Sequence, residues 1–261
     1  MSDAFRHKKM AREHASSGRV SGSAMNEMAS AVQPLYLLAD SQLLFWKRRG
    51  RLVLGEALDN LDRDTPPNAA YIGASNGDRP EFFDIFEAAV ESVGVIDRRM
   101  IDSSFGSADH AFLDRADLIV LAGGDVRLGW NTFENSGMKE VILDRYMQGA
   151  VLVGISAGAV QLGRCGIVET TSGGSELIEL FNLVHLVIDT HDEDARWTRL
   201  SRLVHSLGGS ATGLGIPSGG GVIVHTDGTI EPVRRPAHEF RCEDSQVTHS
   251  LVCPDESATT D

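Results

Sequence analysis

Ala150-Val151-Leu152-Val153-Gly154-Ile155-Ser156-Ala157-Gly158-Ala159-Val160-Gln161-Leu162 is the stretch whose reading decides the fold of this chain. Ala150 to Val153 is an apolar run that reads as a buried strand, and Ala157 to Leu162 is small and helix-compatible. Between them, Gly154-Ile155-Ser156-Ala157-Gly158 fits Gly-x-Ser-x-Gly in the strand–turn–helix setting of a nucleophile elbow. Such a turn holds its Ser in a strained conformation, and its flanks must be small so that neighbouring backbone can approach. The Ser156 hydroxyl is expected to stand exposed above a sheet. The Ala157 N–H then points where an oxyanion would form.

Working outward, the chain alternates strand and helix. Upstream strands are expected at Leu35–Leu38, Ala69–Gly73, Val93–Ile101 and Leu118–Leu121. Helices are expected at Ser41–Lys47, at Met138–Gln148, and around Phe82, Phe83, Phe86, Ala89, Val90 and Val93, whose apolar positions recur at helical spacing. Downstream, Gly166–Glu169 and Leu183–Ile188 read as strands, Thr170–Ser175 as a loop and Arg196–Leu207 as a helix. Gly213–His225 crosses a turn between two strands, and Thr226-Asp227-Gly228-Thr229 signals a hairpin. Continuous apolar strands alternating with helices predict a mostly parallel sheet covered on both faces, a three-layer α/β/α sandwich. The loops after Gly73, at Gly123-Gly124 and at Ser156 all follow strands, so they are expected to open on one rim where ligands bind. Residues 34–253 form a single domain in this reading, with a mobile arm at 1–33 and a frayed tail at 254–261.

Composition narrows the function classes. The chain has 261 residues, 42% of them hydrophobic, enough for a core. A formal charge of −13 disfavours a nucleic-acid partner and gives no attraction to an anionic membrane. The cysteines Cys165, Cys242 and Cys253 show no metal-ligand spacing, which fits a reducing cytoplasm. No metal site and no nucleotide-binding loop is visible, so no cofactor is expected.

A nucleophilic Ser needs a base. Among nine His residues, His191 in Val187-Ile188-Asp189-Thr190-His191-Asp192 follows a strand and should share the rim with Ser156. Gly123-Gly124 can turn backbone N–H groups toward a developing charge. Arg196, Arg199 and Arg202 recur every three residues, and guanidinium forks suit a carboxylate-bearing substrate.

Together, Gly-Gly after a strand, Gly-x-Ser-Ala-Gly-Ala, Asp-x-His, an Arg-spaced helix ending in Arg202-Leu203 and Gly213-Leu214-Gly215-Ile216 resemble the peptidase E and cyanophycinase family, from about Leu35 to Val233. The resemblance implies a class I glutamine amidotransferase-like fold and a serine peptidase acting on aspartyl bonds, α- or β-linked. It implies Ser156 as nucleophile, His191 as base, and Gly124 and Ala157 at the oxyanion. Asp125, Asp189, Thr190, Arg196 and Arg199 are the residues expected to meet a small peptide substrate. A homodimer is implied only at family level.

The chain departs from that pattern at three places. A Gly-Ile-Asp-Glu segment of cyanophycinase-like members is matched by Gly215-Ile216-Pro217-Ser218, which has no acid. Val126 and Thr190 stand where cyanophycinases carry Gln. The third triad member is therefore open among Asp189, Asp192 and Glu169. Other readings are a biosynthetic acyl- or amidotransferase, a non-catalytic peptide-binding protein, and an α/β-hydrolase esterase whose base would be His225, His238 or His249.

Overall fold

The computed structural model describes residues 32–59, 61, 65–169, 173–209 and 211–255. The expected arm up to residue 31 and the tail beyond residue 255 lie outside the described residues, as do residues 170–172 of the expected Thr170–Ser175 loop.

In chain order the elements are β1 (Leu35–Leu38), a 3-10 turn (Ser41–Phe45), β2 (Lys47–Arg48), β3 (Arg51–Leu52), α1 (Val53–Asp59), β4 (Asn68–Ile72), α2 (Pro80–Glu91), β5 (Asp97–Ile101), α3 (Ser107–Leu113), β6 (Leu118–Leu121), α4 (Val126–Ser136), α5 (Met138–Met147), β7 (Val151–Ile155) and α6 (Ala157–Leu162). There follow β8 (Cys165–Glu169), β9 (Ser175–Glu179), β10 (Leu186–Thr190), α7 (Thr198–Leu207), β11 (Thr212–Ile216), β12 (Gly221–Val224), β13 (Ile230–Val233), β14 (Ala237–Glu243) and β15 (Gln246–Val252).

The main sheet has seven strands in the order β13-β12-β1-β7-β6-β4-β5. From β1 to β5 the pairing is parallel, and only β12 and β13 run antiparallel at one edge. Successive strand residues feed opposite faces. Leu35, Leu37, Ile119, Leu121 and Leu152 enter one core with Phe112, Trp130, Phe133 and Ile142 of α3 to α5. Tyr36, Leu38, Leu118, Val120, Val151 and Val153 enter a second core with Val53 and Leu54 of α1 and Phe86 and Val90 of α2. The sheet is therefore covered on both faces, as the continuous apolar strands predict.

A second sheet of four strands, β10-β11-β14-β15, follows the elbow. Its alternation is equally informative. Ile188, Leu214 and Ile216 face the first core, whereas Val187 packs with Trp197, Leu200, Val204 and Phe240 in a smaller core beneath α7. The strand leading to Ser156 and the strand leading to His191 thus belong to different sheets.

Several expected elements shift for local reasons. The strand expected from Val93 begins only at Asp97, because Val95 N–H still bonds Val90 C=O at 3.0 Å and Gly94, at φ 82°, closes α2. The strand expected from Leu183 begins at Leu186. Phe181 and Leu183 instead donate their N–H groups to the Gln161 and Leu162 carbonyls, at 3.0 and 3.1 Å, and so satisfy the end of α6. The Ser41–Lys47 helix is a 3-10 turn ending at Phe45. Helix α4, not anticipated, starts directly after Gly123-Gly124 because the Asp125 carboxylate caps it, accepting from Leu128 N–H at 2.7 Å. Strands β9, β14 and β15 were also not anticipated. Their outward faces carry mixed polar residues, as in His238-Glu239-Phe240-Arg241-Cys242-Glu243, which blurs the two-residue period.

Candidate active site

The elbow forms as its sequence dictates. Ser156 sits at φ 48° and ψ −107°, a conformation unfavourable for a residue with a Cβ. Its N–H is held by Leu38 C=O at 2.8 Å, and its carbonyl accepts from Val160 N–H at 3.1 Å, so strand β1 and helix α6 clamp the turn from both sides. The flanking glycines are sterically required. A Cβ on Gly154 would lie 2.6 Å from the Ala159 nitrogen, and one on Gly158 would lie 2.3 Å from the Leu121 carbonyl oxygen.

The rim loops are tied together behind the serine. Gln161 is fully buried, and its amide donates to Ser75 Oγ at 3.1 Å and to Val126 C=O at 3.0 Å. Asp125 N–H bonds Ser75 C=O at 2.7 Å. The loops after β4, β6 and β7 are thereby joined through one buried amide. Gly124 adopts φ 137°, and a Cβ there would fall 2.1 Å from the Ser75 carbonyl oxygen, so only glycine fits.

These loops enclose a cavity of about 390 Å³ at the carboxyl ends of the strands. Ser156, Gly123, Gly124 and His191 are among the residues that line it. Leu44, Tyr71, Phe82, Ile85 and Phe86 form an apolar wall, and Asp40, Asn76 and Arg79 supply polar groups. Tyr71 accepts a hydrogen bond from Asn76 Nδ2 at 3.0 Å, and burial pushes its phenol up to about 12, so it stays protonated. The Arg79 guanidinium lies over the Phe82 ring, 5.2 Å from its centroid, and also pairs with Glu81.

His191 follows β10 and has φ 58°, again a strained value for a non-glycine residue. Its N–H bonds Ile216 C=O at 3.2 Å, which couples it to the end of β11. Its ring Nδ1 lies 3.1 Å from Ser218 Oγ. Ser218 is the residue standing where the sequence pattern lacks an acid. Its own N–H donates to Glu193 Oε1 at 3.0 Å. Burial opposes ionisation of Glu193. Polar groups of Ser218 and the backbone of Glu193 itself, together with nearby His191, outweigh it and hold this carboxyl below its ordinary range.

The cavity therefore gathers Ser156, His191 and Gly124, with Ala157 buried directly behind the serine. The other expected substrate contacts do not line it. Asp125 is occupied as the cap of α4. Asp189 is buried and bound side-on by Arg199, whose Nε lies 3.2 Å from Oδ2. Burial pushes the Asp189 carboxyl up despite this partner, while the hydrogen bond to Asp189 raises Arg199 further; desolvation of the acid outweighs the attraction it receives. Thr190 ends β10 with its N–H on Asp189 Oδ1 at 3.0 Å, and Arg196 is exposed on the turn leading to α7. Of the candidates for a third triad member, Asp189 is committed to Arg199, Asp192 and Glu169 are not the partners of His191 Nδ1, and Ser218 is. Arg79, Asn76 and Asp40 had no sequence signal beyond following a strand. Glu193 was hidden among four acids in Asp189–Asp194. Among the described residues, no group of three or more His, Cys, Asp or Glu could hold a metal, and no helix is long and apolar enough to cross a membrane.

Solved structures share this architecture. A peptidase from an acI-B1 Actinobacterium superposes with a TM-score of 0.62 at 15% identity, over 86% of this chain and 96% of that one. A peptidase E-type protein from Listeria monocytogenes EGD-e gives a TM-score of 0.51 at 15% identity, over 85% of this chain and 100% of the other. Both fit the class I glutamine amidotransferase-like fold. No curated protein is significantly similar in sequence. The sequence model of peptidase family S51 matches residues 47–231, which span β2 to β13 and include Ser156, His191 and Gly124. With an elbow serine at the mouth of a rim cavity and a family match over most of its length, the chain belongs to peptidase family S51 and is a serine-type peptidase.

Proposed function

We propose that the protein hydrolyses short peptides bearing an acidic group, aspartyl bonds among them, through Ser156, His191 and an acyl-enzyme. The observation that carries this is the convergence of a strained elbow serine, a histidine and a Gly-Gly turn in one cavity. In this reading Ser156 Oγ attacks the scissile carbonyl while His191 Nε2 takes its proton. The Gly124 and Ala157 N–H groups would bind the oxyanion, and the proton passes to the departing amine. Water, activated by the same imidazole, then releases the acid product.

Arg79, and not an arginine of α7, would hold the acidic group. Arg199 is paired with Asp189, and Arg196 does not line the cavity, whereas Arg79 is the one Arg or Lys among its lining residues. Glu81 on the exposed side engages Nε and Nη2 of this guanidinium, which lies over Phe82, so Nη1 is the group left for a carboxylate beside the apolar wall.

The test is a panel of α-aspartyl dipeptides, β-aspartyl dipeptides, β-aspartyl-arginine and neutral dipeptides. Wild-type protein is expected to cleave the acidic members. The Arg79→Met variant should raise KM for them about tenfold while leaving neutral peptides unaffected, as expected for loss of a charge-assisted contact. Labelling of Ser156 by a fluorophosphonate probe is expected in folded protein. Cleavage of no member of the panel together with no labelling would sink the proposal.

A further inference from the structure

Two large apolar side chains on α2 are left uncovered. Phe82 is 38% exposed and Ile85 37%, whereas Phe86 beside them is 1% exposed. At about 100° per residue these three positions share one face of the helix. A single exposed apolar residue carries no meaning, but these two line the same cavity as Ser156 and His191. Phe86 takes the face into the second core, and Phe82 and Ile85 continue it along the cavity.

The wall is held from behind. The rings of Tyr71, Phe83 and Phe86 form a cluster with centroids 5.3 to 5.9 Å apart. Leu44 joins the same core from the 3-10 turn. Asp40 fixes that turn: its Oδ1 accepts from Gln42 N–H at 3.2 Å and its Oδ2 from Gly219 N–H at 2.7 Å. A surface supported in this way needs little ordering when a ligand arrives, which lowers the cost of binding.

The polar groups around the wall are mostly committed. Both Asp40 oxygens hold backbone N–H groups. Asn76 donates from Nδ2 to Tyr71 and accepts the Arg79 N–H at Oδ1, 3.2 Å away. Arg79 gives Nε and Nη2 to Glu81 and keeps Nη1. A polar side chain laid on this wall would give up water and meet rings and occupied groups. An apolar one would cover Phe82 and Ile85 and release the water from both surfaces. The cavity, about 390 Å³, lies near the lower end of the roughly 300–1,000 Å³ range of small-molecule sites, so it suits a short peptide with few side chains.

We infer that the wall of Leu44, Tyr71, Phe82, Ile85 and Phe86 is a subsite for a large apolar side chain, so that the peptide substrate pairs an acidic residue with a leucine- or phenylalanine-like neighbour. The acidic group meets Arg79 Nη1, and the neighbour lies against Phe82 and Ile85. Phe82 borders both places, since its ring also carries the Arg79 guanidinium. The inference deepens the peptidase reading and rests on it.

The experiment compares α-Asp-Leu, α-Asp-Phe and α-Asp-Gly in two ways. With wild-type protein, kcat/KM is expected to be about 30-fold higher for the leucine and phenylalanine peptides than for the glycine peptide. Ile85→Ser, which leaves Arg79 over Phe82, should cut that ratio about fivefold, and Phe82→Ser should do the same. The ratio is read within one protein, so a general loss of activity cancels. With Ser156→Ala, calorimetry should show Asp-Leu bound about 30-fold more tightly than Asp-Gly, with a more negative heat-capacity change from the buried apolar surface. Equal kcat/KM and equal affinity for the leucine and glycine peptides would overturn the subsite. So would Ile85→Ser and Phe82→Ser proteins that both keep the wild-type ratio; if sedimentation also shows them turned from dimer to monomer, the wall is a contact between copies. Failure of the peptidase reading looks different: cleavage is absent, or survives Ser156→Ala, while the binding preference for leucine persists.

Discussion

Ser156→Ala is expected to lower kcat/KM on the cleaved aspartyl substrate by about 10,000-fold, with the loss in kcat and little change in KM. The alanine keeps every backbone bond of the elbow, from Leu38 C=O to Ser156 N–H and from Val160 N–H to the Ser156 carbonyl. It also keeps the Gly123 and Gly124 turn and the apolar wall. What it removes is the hydroxyl proposed to form the acyl bond. Residual activity should come from substrate binding and the oxyanion donors acting on water. Alanine suffers at φ 48° as serine does, so the fold should be nearly unperturbed and the thermal midpoint close to wild type. A variant that kept more than about a tenth of wild-type kcat/KM would be incompatible with covalent catalysis at this position.

Gly158→Ala is expected to have a large effect on stability. The added Cβ would sit 2.3 Å from the Leu121 carbonyl oxygen and 2.8 Å from its carbonyl carbon. The obstacle is the main chain of a fully buried central strand, with Leu121 entirely inaccessible, and not the end of a movable side chain. Helix α6 must then lift from β6, which would pull Gln161 from Ser75 and Val126. Overpacking of this kind costs about 3 kcal/mol. For a domain of this size that lowers the thermal midpoint by about 10 °C. A melting curve by circular dichroism reads it directly, and an unchanged midpoint would mean that α6 is free to move away from the sheet.

How much of this was legible beforehand follows from the kind of signal each residue carries. The elbow and β1, β4, β6 and β7 were readable because a strand buried on both faces is apolar at every position, and because Gly154 and Gly158 have no tolerable alternative. The strand-end rule then placed the loops at Asn76, Gly123 and Ser156 on one rim, and His191 came with them as the residue after β10. The arginines of α7 were misleading. Their three-residue spacing is a property of the helix alone, whereas the Asp189 that engages Arg199 comes from a neighbouring strand, across a distance that the sequence does not encode. Arg79 was invisible for the converse reason: its place depends on how the loop after β4 folds against Phe82. In the sequence Ser218 marks only the place of a missing acid. That its hydroxyl stands beside His191 Nδ1 depends on the register of β10 against β11, which pairs Thr190 with Ile216.

The division of the pair between two sheets has a further consequence. Ser156 follows β7, deep in the seven-stranded sheet, while His191 follows β10 of the four-stranded one, whose edge strand β15 is largely open to water. Local opening draws first on regions with few buried contacts. The smaller sheet can therefore loosen while the larger one remains intact, and the nucleophile would then lose its base without losing its own elbow. On this architecture, catalytic competence is a more fragile state than foldedness. In a urea titration, hydrolysis should disappear at a lower concentration than the helical signal, and amide exchange in β15 should precede exchange in β6 and β7.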